Sequence, residues 1–76
     1  MRADRVEVGW DEGKKSWLVE IVSGEEVIRR HCNLAKDAGD AALRSMAQQT
    51  LIDEGFDPRL ADGPAYRADG KISWSV

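Results

Sequence analysis

His31 is the one side chain whose ordinary pKa lies near neutrality, so any acid–base chemistry would have to pass through it. Cys32 follows it directly. Neighbouring residues of an extended strand point to opposite faces, which separates thiol from imidazole and argues against a Cys–His nucleophilic pair. Both are read as structural or surface residues. The carboxylates come as Asp11-Glu12, Glu25-Glu26, Asp53-Glu54, Asp57, Asp62 and Asp69. Paired carboxylates serve glycosidic chemistry or metal binding when they converge inside a pocket. Most of these fall at turns and helix ends, where solvation and capping account for them. The sharper reading is an acidic surface that steers a basic partner.

The basic residues Arg2, Arg5, Lys14, Lys15, Arg29, Arg30, Arg44 and Arg67 form no dense run. Trp10, Trp17 and Trp74 have the chemistry to stack nucleic-acid bases. Each stands in register with Val or Ile on its strand, so all three are expected in the core. No phosphate loop, dinucleotide fingerprint or nucleophile elbow occurs, and the seven glycines are scattered among turns. One cysteine excludes an internal disulfide, and with one histidine it excludes an ordinary four-ligand zinc site within one chain. No cofactor and no catalytic constellation are expected.

The elements that must carry these residues are read from period. Arg5 to Trp10 alternates, with Val6, Val8 and Trp10 on one face and Arg5 and Glu7 on the other. Asp11-Glu12-Gly13-Lys14-Lys15 is a polar loop. Trp17 to Val22 is a second strand, apolar on nearly both faces and therefore central. Ser23-Gly24 signals a tight turn into a third strand, Glu26 to Cys32. The inward face of that strand is open, because Val27-Arg29-His31 and Ile28-Arg30-Cys32 are similarly mixed. Either choice sends one arginine toward the helix or to its rim.

Leu43, Met46, Ala47, Thr50 and Leu51 then recur at helical spacing, with Arg44, Ser45, Gln48 and Gln49 on the wet side. Asp37 is the expected N-cap and Gly55 the left-handed C-cap, giving a helix from about Ala38 to Glu54. Phe56 is expected to staple its end to the sheet. Asp57-Pro58 opens one helical turn through Ala61, and Gly63-Pro64 and Asp69-Gly70 punctuate a loop of roughly 15 residues, long enough to be functional. Ile72, Trp74 and Val76 form a last strand, paired with the first or the third. The fold class is α+β over residues 1–76 as a single domain: an antiparallel three-stranded meander, one helix on one sheet face, then a C-terminal strand (β-β-β-α-β). The other sheet face stays wet and available for contact.

Composition agrees. Seventy-six residues with 42% apolar and 33% charged side chains match a small globular chain. The core of so short a chain is marginal, and homodimerisation would be a second route to stability. A net charge of −3 argues against a generic polyanion binder. No run is long enough for a membrane span or a signal peptide, and the free Cys32 fits a reducing compartment, pointing to the cytoplasm.

The order of elements is similar to the double-stranded-RNA-binding domain. That family has a helix before the sheet and a basic start to its last helix. Here no helix fits before Arg5, and the helix opens on Lys36-Asp37-Ala38-Gly39-Asp40. Trp17-Leu18-Val19-Glu20-Ile21, a glycine turn and Asp37-Ala38-Gly39-Asp40-Ala41-Ala42-Leu43-Arg44-Ser45-Met46 resemble the strand, turn and alanine-rich helix of small phage-encoded anti-CRISPR proteins. These inhibit multi-subunit (type I) effector complexes, and Gly70-Lys71-Ile72-Ser73-Trp74 is similar to their closing strand. The resemblance covers about half of the chain and implies a stoichiometric inhibitor that occludes an effector surface.

The expected function is thus non-catalytic protein binding, with a basic surface of a nucleic-acid-handling complex as partner. The expected contact residues are Asp11, Glu12, Glu25, Glu26, Arg67 and Asp69. The alternative is a nucleic-acid-binding module using Lys14, Lys15, Arg29 and Arg30 against phosphate.

Overall fold

The computed structural model describes residues 2–60, 66–68 and 70–75. Its elements are β1 (Arg5–Asp11), β2 (Ser16–Ser23), β3 (Glu26–Cys32), α1 (Asp40–Asp53), β4 (Tyr66–Ala68) and β5 (Lys71–Ser75). The five strands form one antiparallel sheet in the order β3-β2-β1-β5-β4. The α+β class and the β-β-β-α-β order therefore hold, with one short added strand. β4 turns through Gly70, at φ +75°, straight into β5, so the long segment after the helix carries a hairpin. Asp62, Gly63, Pro64, Asp69 and Val76 lie outside the described residues. The last strand pairs with the first, Val6 opposite Trp74 and Val8 opposite Ile72.

Two hairpins fix the register. Asp11 opposes Ser16 across a four-residue turn whose left-handed position is Lys15, at φ +52°, rather than Gly13. Ser23 opposes Glu26 across Gly24-Glu25, with positive φ only at Gly24, the pattern of a type II′ turn. Asp4 anchors that second turn: its carboxylate accepts the Gly24 N–H at 2.8 Å, and its own N–H donates to the Val22 carbonyl at 2.7 Å.

Register puts Val6, Val8, Val19, Ile21, Trp17, Ile72 and Trp74 on one face, and all are buried there. α1 closes this face with Leu43, Ala47, Thr50 and Leu51, the stripe expected from the spacing. The buried Thr50 hydroxyl donates to the Met46 carbonyl at 2.9 Å, so its place in an apolar stripe leaves no polar atom stranded. Trp10 is the exception among the tryptophans. It lies at the hairpin end of the sheet, only partly buried, and packs edge-on against Trp17 with ring centroids 5.4 Å apart.

The helix is shorter at its start than the sequence suggests. Its N-cap is Gly39, extended and without a side-chain cap, and Asp37 is not the cap. Residues 35–38 instead close a turn, with Ala38 N–H to Ala35 carbonyl at 3.0 Å, as Leu34 and Ala38 pack onto the core. At the other end Gly55, at φ +85°, donates to Ile52 and Phe56 donates to Leu51. These are the two bonds of a Schellman motif, with Phe56 buried beside Leu51 as its apolar closure.

Arg44 and Gln48 depart from the wet side assigned to them. They donate to the Leu60 and Pro58 carbonyls, at 2.8 and 3.1 Å, and hold the following segment against the helix. No helical turn follows Asp57-Pro58 through Leu60; Asp57 accepts the Arg59 N–H at 3.0 Å, and Ala61 lies outside the described residues. The guanidinium of Arg59 also binds that carboxylate and lowers its pKa to about 2. Among the described residues, no helix is long and apolar enough to cross a membrane.

Candidate functional site

The sheet face away from the helix can be read as cross-strand rows. Ser73, Glu7, Glu20 and Arg29 form one; Lys71, Gly9, Leu18 and His31 form the next; Asp11 and Ser16 form the last described one. Glu7 and Glu20 are thus direct cross-strand neighbours, an arrangement that repels. Arg5 and Arg29 answer it from either side, each at 3.2 Å from its carboxylate. Gly9 has no side chain, so a depression of about 230 Å³ opens over it. It is lined by Gly9 and Leu18, by Val8 and Trp10, and by four acidic residues, Glu7, Glu20, Asp11 and Glu12. The Lys71 stem forms the remaining wall, close enough that a Cβ on Gly9 would come within 3.1 Å of its Cγ.

The two acidic residues of the first hairpin are held separately. Asp11 Oδ2 lies 3.2 Å from His31 Nε2 across β2. That contact, helped by the Lys14 N–H, holds the Asp11 carboxyl below the usual carboxylate range. Glu12 gathers Lys15, the Trp10 indole N–H at 2.6 Å and Lys36 at 3.3 Å. Lys15, then Trp10, then Lys36 lower its pKa from 4.5 to about 2. Lys36 also lies 5.8 Å from the Trp10 ring centroid. The hairpin end is therefore a fixed array of carboxylates, ionised across the physiological range.

His31 and Cys32 fall on opposite faces, as alternation requires. Cys32 faces the helix, 3.7 Å from the Thr50 hydroxyl. On β3 the inward set is Ile28, Arg30 and Cys32, which settles the face left open by the sequence. Arg30 reaches the helix C-cap and pairs with Glu54. Among the described residues, no group of three or more His, Cys, Asp or Glu side chains is placed to hold a metal ion.

The contact residues expected from the sequence are dispersed. Asp11 and Glu12 border the depression, whereas Glu25 and Glu26 lie at the far end of β2, roughly 20 Å away at 3.3 Å per residue. Arg67 lies in β4, and only its backbone is described. Of the basic set, Arg29 and Arg30 point to opposite faces and each is bound to a carboxylate. Lys15 is bound to Glu12, and Lys14 stands exposed on the hairpin. These four do not form one phosphate-facing patch. Glu7, Gly9, Glu20 and Lys71 are the site residues that composition missed. A four-residue turn at Glu12–Lys15 fixes Glu7 opposite Glu20, so the register carried the signal.

Neither family models, curated proteins nor solved structures provide a match to the chain.

Proposed function

We propose that the chain is a non-catalytic protein-binding module that uses its uncovered sheet face. The observation that supports it is the depression over Gly9, lined by four acidic residues and by Leu18. Such a site fits an aliphatic stem that ends in a positive charge. The leucine takes the stem and the carboxylates take the head, exchanging their exposed internal partners Arg5 and Arg29 for it. The partner is then a protein with a basic surface, of the kind that handles nucleic acid in the cytoplasm. Charge steers the approach and a few buried contacts supply affinity. Inhibition of a CRISPR effector complex by occlusion of such a surface is the specific form suggested by the anti-CRISPR resemblance.

The test is a tagged pull-down from a strain carrying a multi-subunit effector, with and without nuclease. It compares the natural chain with Glu7→Lys/Glu20→Lys. The expected result is stoichiometric capture of effector subunits that survives nuclease and is lost in the folded variant. Capture that vanishes with nuclease, and weakens steeply with salt, would put nucleic-acid binding in its place. Undiminished capture by the folded variant would remove the open face from the mechanism.

A further inference from the structure

We infer that β3 is a docking edge for a second copy of this chain, the two β3 strands pairing antiparallel about Ile28 to join two sheets into one. β3 is one of the two outer strands of the sheet, seven residues long and without proline, whereas the other, β4, has three residues. Ser23 and Glu26 flank a two-residue turn and so form a hydrogen-bonded pair. Alternation from there turns the N–H and C=O groups of Val27, Arg29 and His31 away from β2. No described residue beyond β2 bonds them. Val27 is also 42% exposed, one of two large apolar residues left exposed among the described residues, with Ile52 on the helix. The helix lies mainly over β1 and β2 and touches β3 only on its inner face, through Thr50 and Glu54, leaving the backbone edge approachable.

Charge selects the occupant and the register. With Ile28 opposite its own copy, Glu26 faces Arg30 twice and Val27 faces Arg29 twice. Val27 and Arg29 are both outward-bonding residues, so they form hydrogen-bonded pairs across the junction. Ile28 meets Ile28 at the closer, non-hydrogen-bonded spacing. Pairing about Arg29 or Arg30 instead puts like charges directly opposite, which is unfavourable. Arginines on an edge ordinarily block strand addition. Here glutamates at the matching spacing convert the same arginines into a code for self-recognition. The junction leaves both depressions over Gly9 exposed, so it is independent of the binding reading above.

Light scattering and sedimentation of the purified chain test this. The expected mass is twice 8.4 kDa at millimolar concentration, falling to 8.4 kDa on dilution. Arg29→Pro removes no backbone hydrogen bond to β2, because that N–H points outward, and gives up only the exposed Arg29–Glu20 ion pair; it is expected to give a monomer with an unchanged circular dichroism spectrum. Glu26→Arg and Arg30→Glu are each expected to weaken the dimer about tenfold, and Glu26→Arg/Arg30→Glu together to restore it. A natural chain that stays at 8.4 kDa at millimolar concentration overturns the proposal, as does a dimer that persists in folded Arg29→Pro. Single charge reversals that leave the equilibrium unmoved overturn the Ile28-centred register.

Discussion

On the helix side of the sheet, Val6, Val8, Val19 and Ile21 have lost all contact with solvent. On the other side of the same strands, Glu7 and Glu20 face each other and depend on Arg5 and Arg29 for compensation. One backbone thus carries two surfaces with different physics. The first is non-directional burial, in which each methylene contributes about 0.8 kcal/mol and volume is decisive. The second is charge held at a set spacing in water, where each pair contributes little to stability and much to what can approach. If the open face binds as proposed above, fold and binding are therefore separable by mutation.

The largest break in that comparison is Trp74→Ala. Trp74 is 1% exposed on β5, beside Val6 in the core, and its loss is expected to cost about 3–5 kcal/mol, enough to unfold most of the chain. Urea titration followed by tryptophan fluorescence checks it. Gly9→Ala sharpens the contrast. The new methyl meets only the flexible Lys71 stem, and the strand gains about 0.5–1 kcal/mol from reduced backbone freedom. Partner affinity is expected to fall as the depression fills, so stability and binding move in opposite directions. Glu20→Gln is expected to shift stability by less than about 0.5 kcal/mol, since the Arg29 pair it loses is exposed and the Glu7 repulsion it relieves is of similar size. Binding is again the property that drops.

The smallest effect is one of pH. Glu12 has a folded pKa of about 2 against an ordinary 4.5, so the unfolded chain takes up the proton first as pH falls. Its contribution is complete above about pH 4.5 and gone near pH 2. Glu12→Gln is expected to flatten the acid limb of a melting-temperature profile in that window and leave neutral pH nearly unchanged. Asp57, lowered by Arg59 to a similar value, supplies an internal control at a distant place in the fold.

Legibility in the sequence followed the same division. Val6-Val8-Trp10, Trp17-Val19-Ile21 and the Leu43–Leu51 stripe announce themselves, because burial imposes a period that survives as pattern. The N-cap did not. Asp37 has the right chemistry, but packing of Leu34 and Ala38 onto the core drew the chain into a turn and delayed the helix to Asp40. β4 was invisible because three residues, Tyr66 to Ala68, are too few to show alternation. The acidic depression was half visible. Glu7 and Glu20 each stand on the outward face of their strands in the sequence, but only pairing brings them together. Composition also suggested one acidic surface from Asp11, Glu12, Glu25 and Glu26. The length of β2 separates them.

The strand order has a consequence for how the chain is made. β1, the first strand to leave the ribosome, lies between β2 and the last strand, β5. The meander of β1, β2 and β3 can form from local contacts as synthesis proceeds, yet one flank of β1 stays unpaired until β5 emerges. Until then Val6 and Val8 lack Trp74 and Ile72 beside them. Completion is a long-range closure, slow relative to hairpin formation. The nascent chain therefore passes through a stage in which one flank of β1 is an extra sticky edge, lost only when β5 docks.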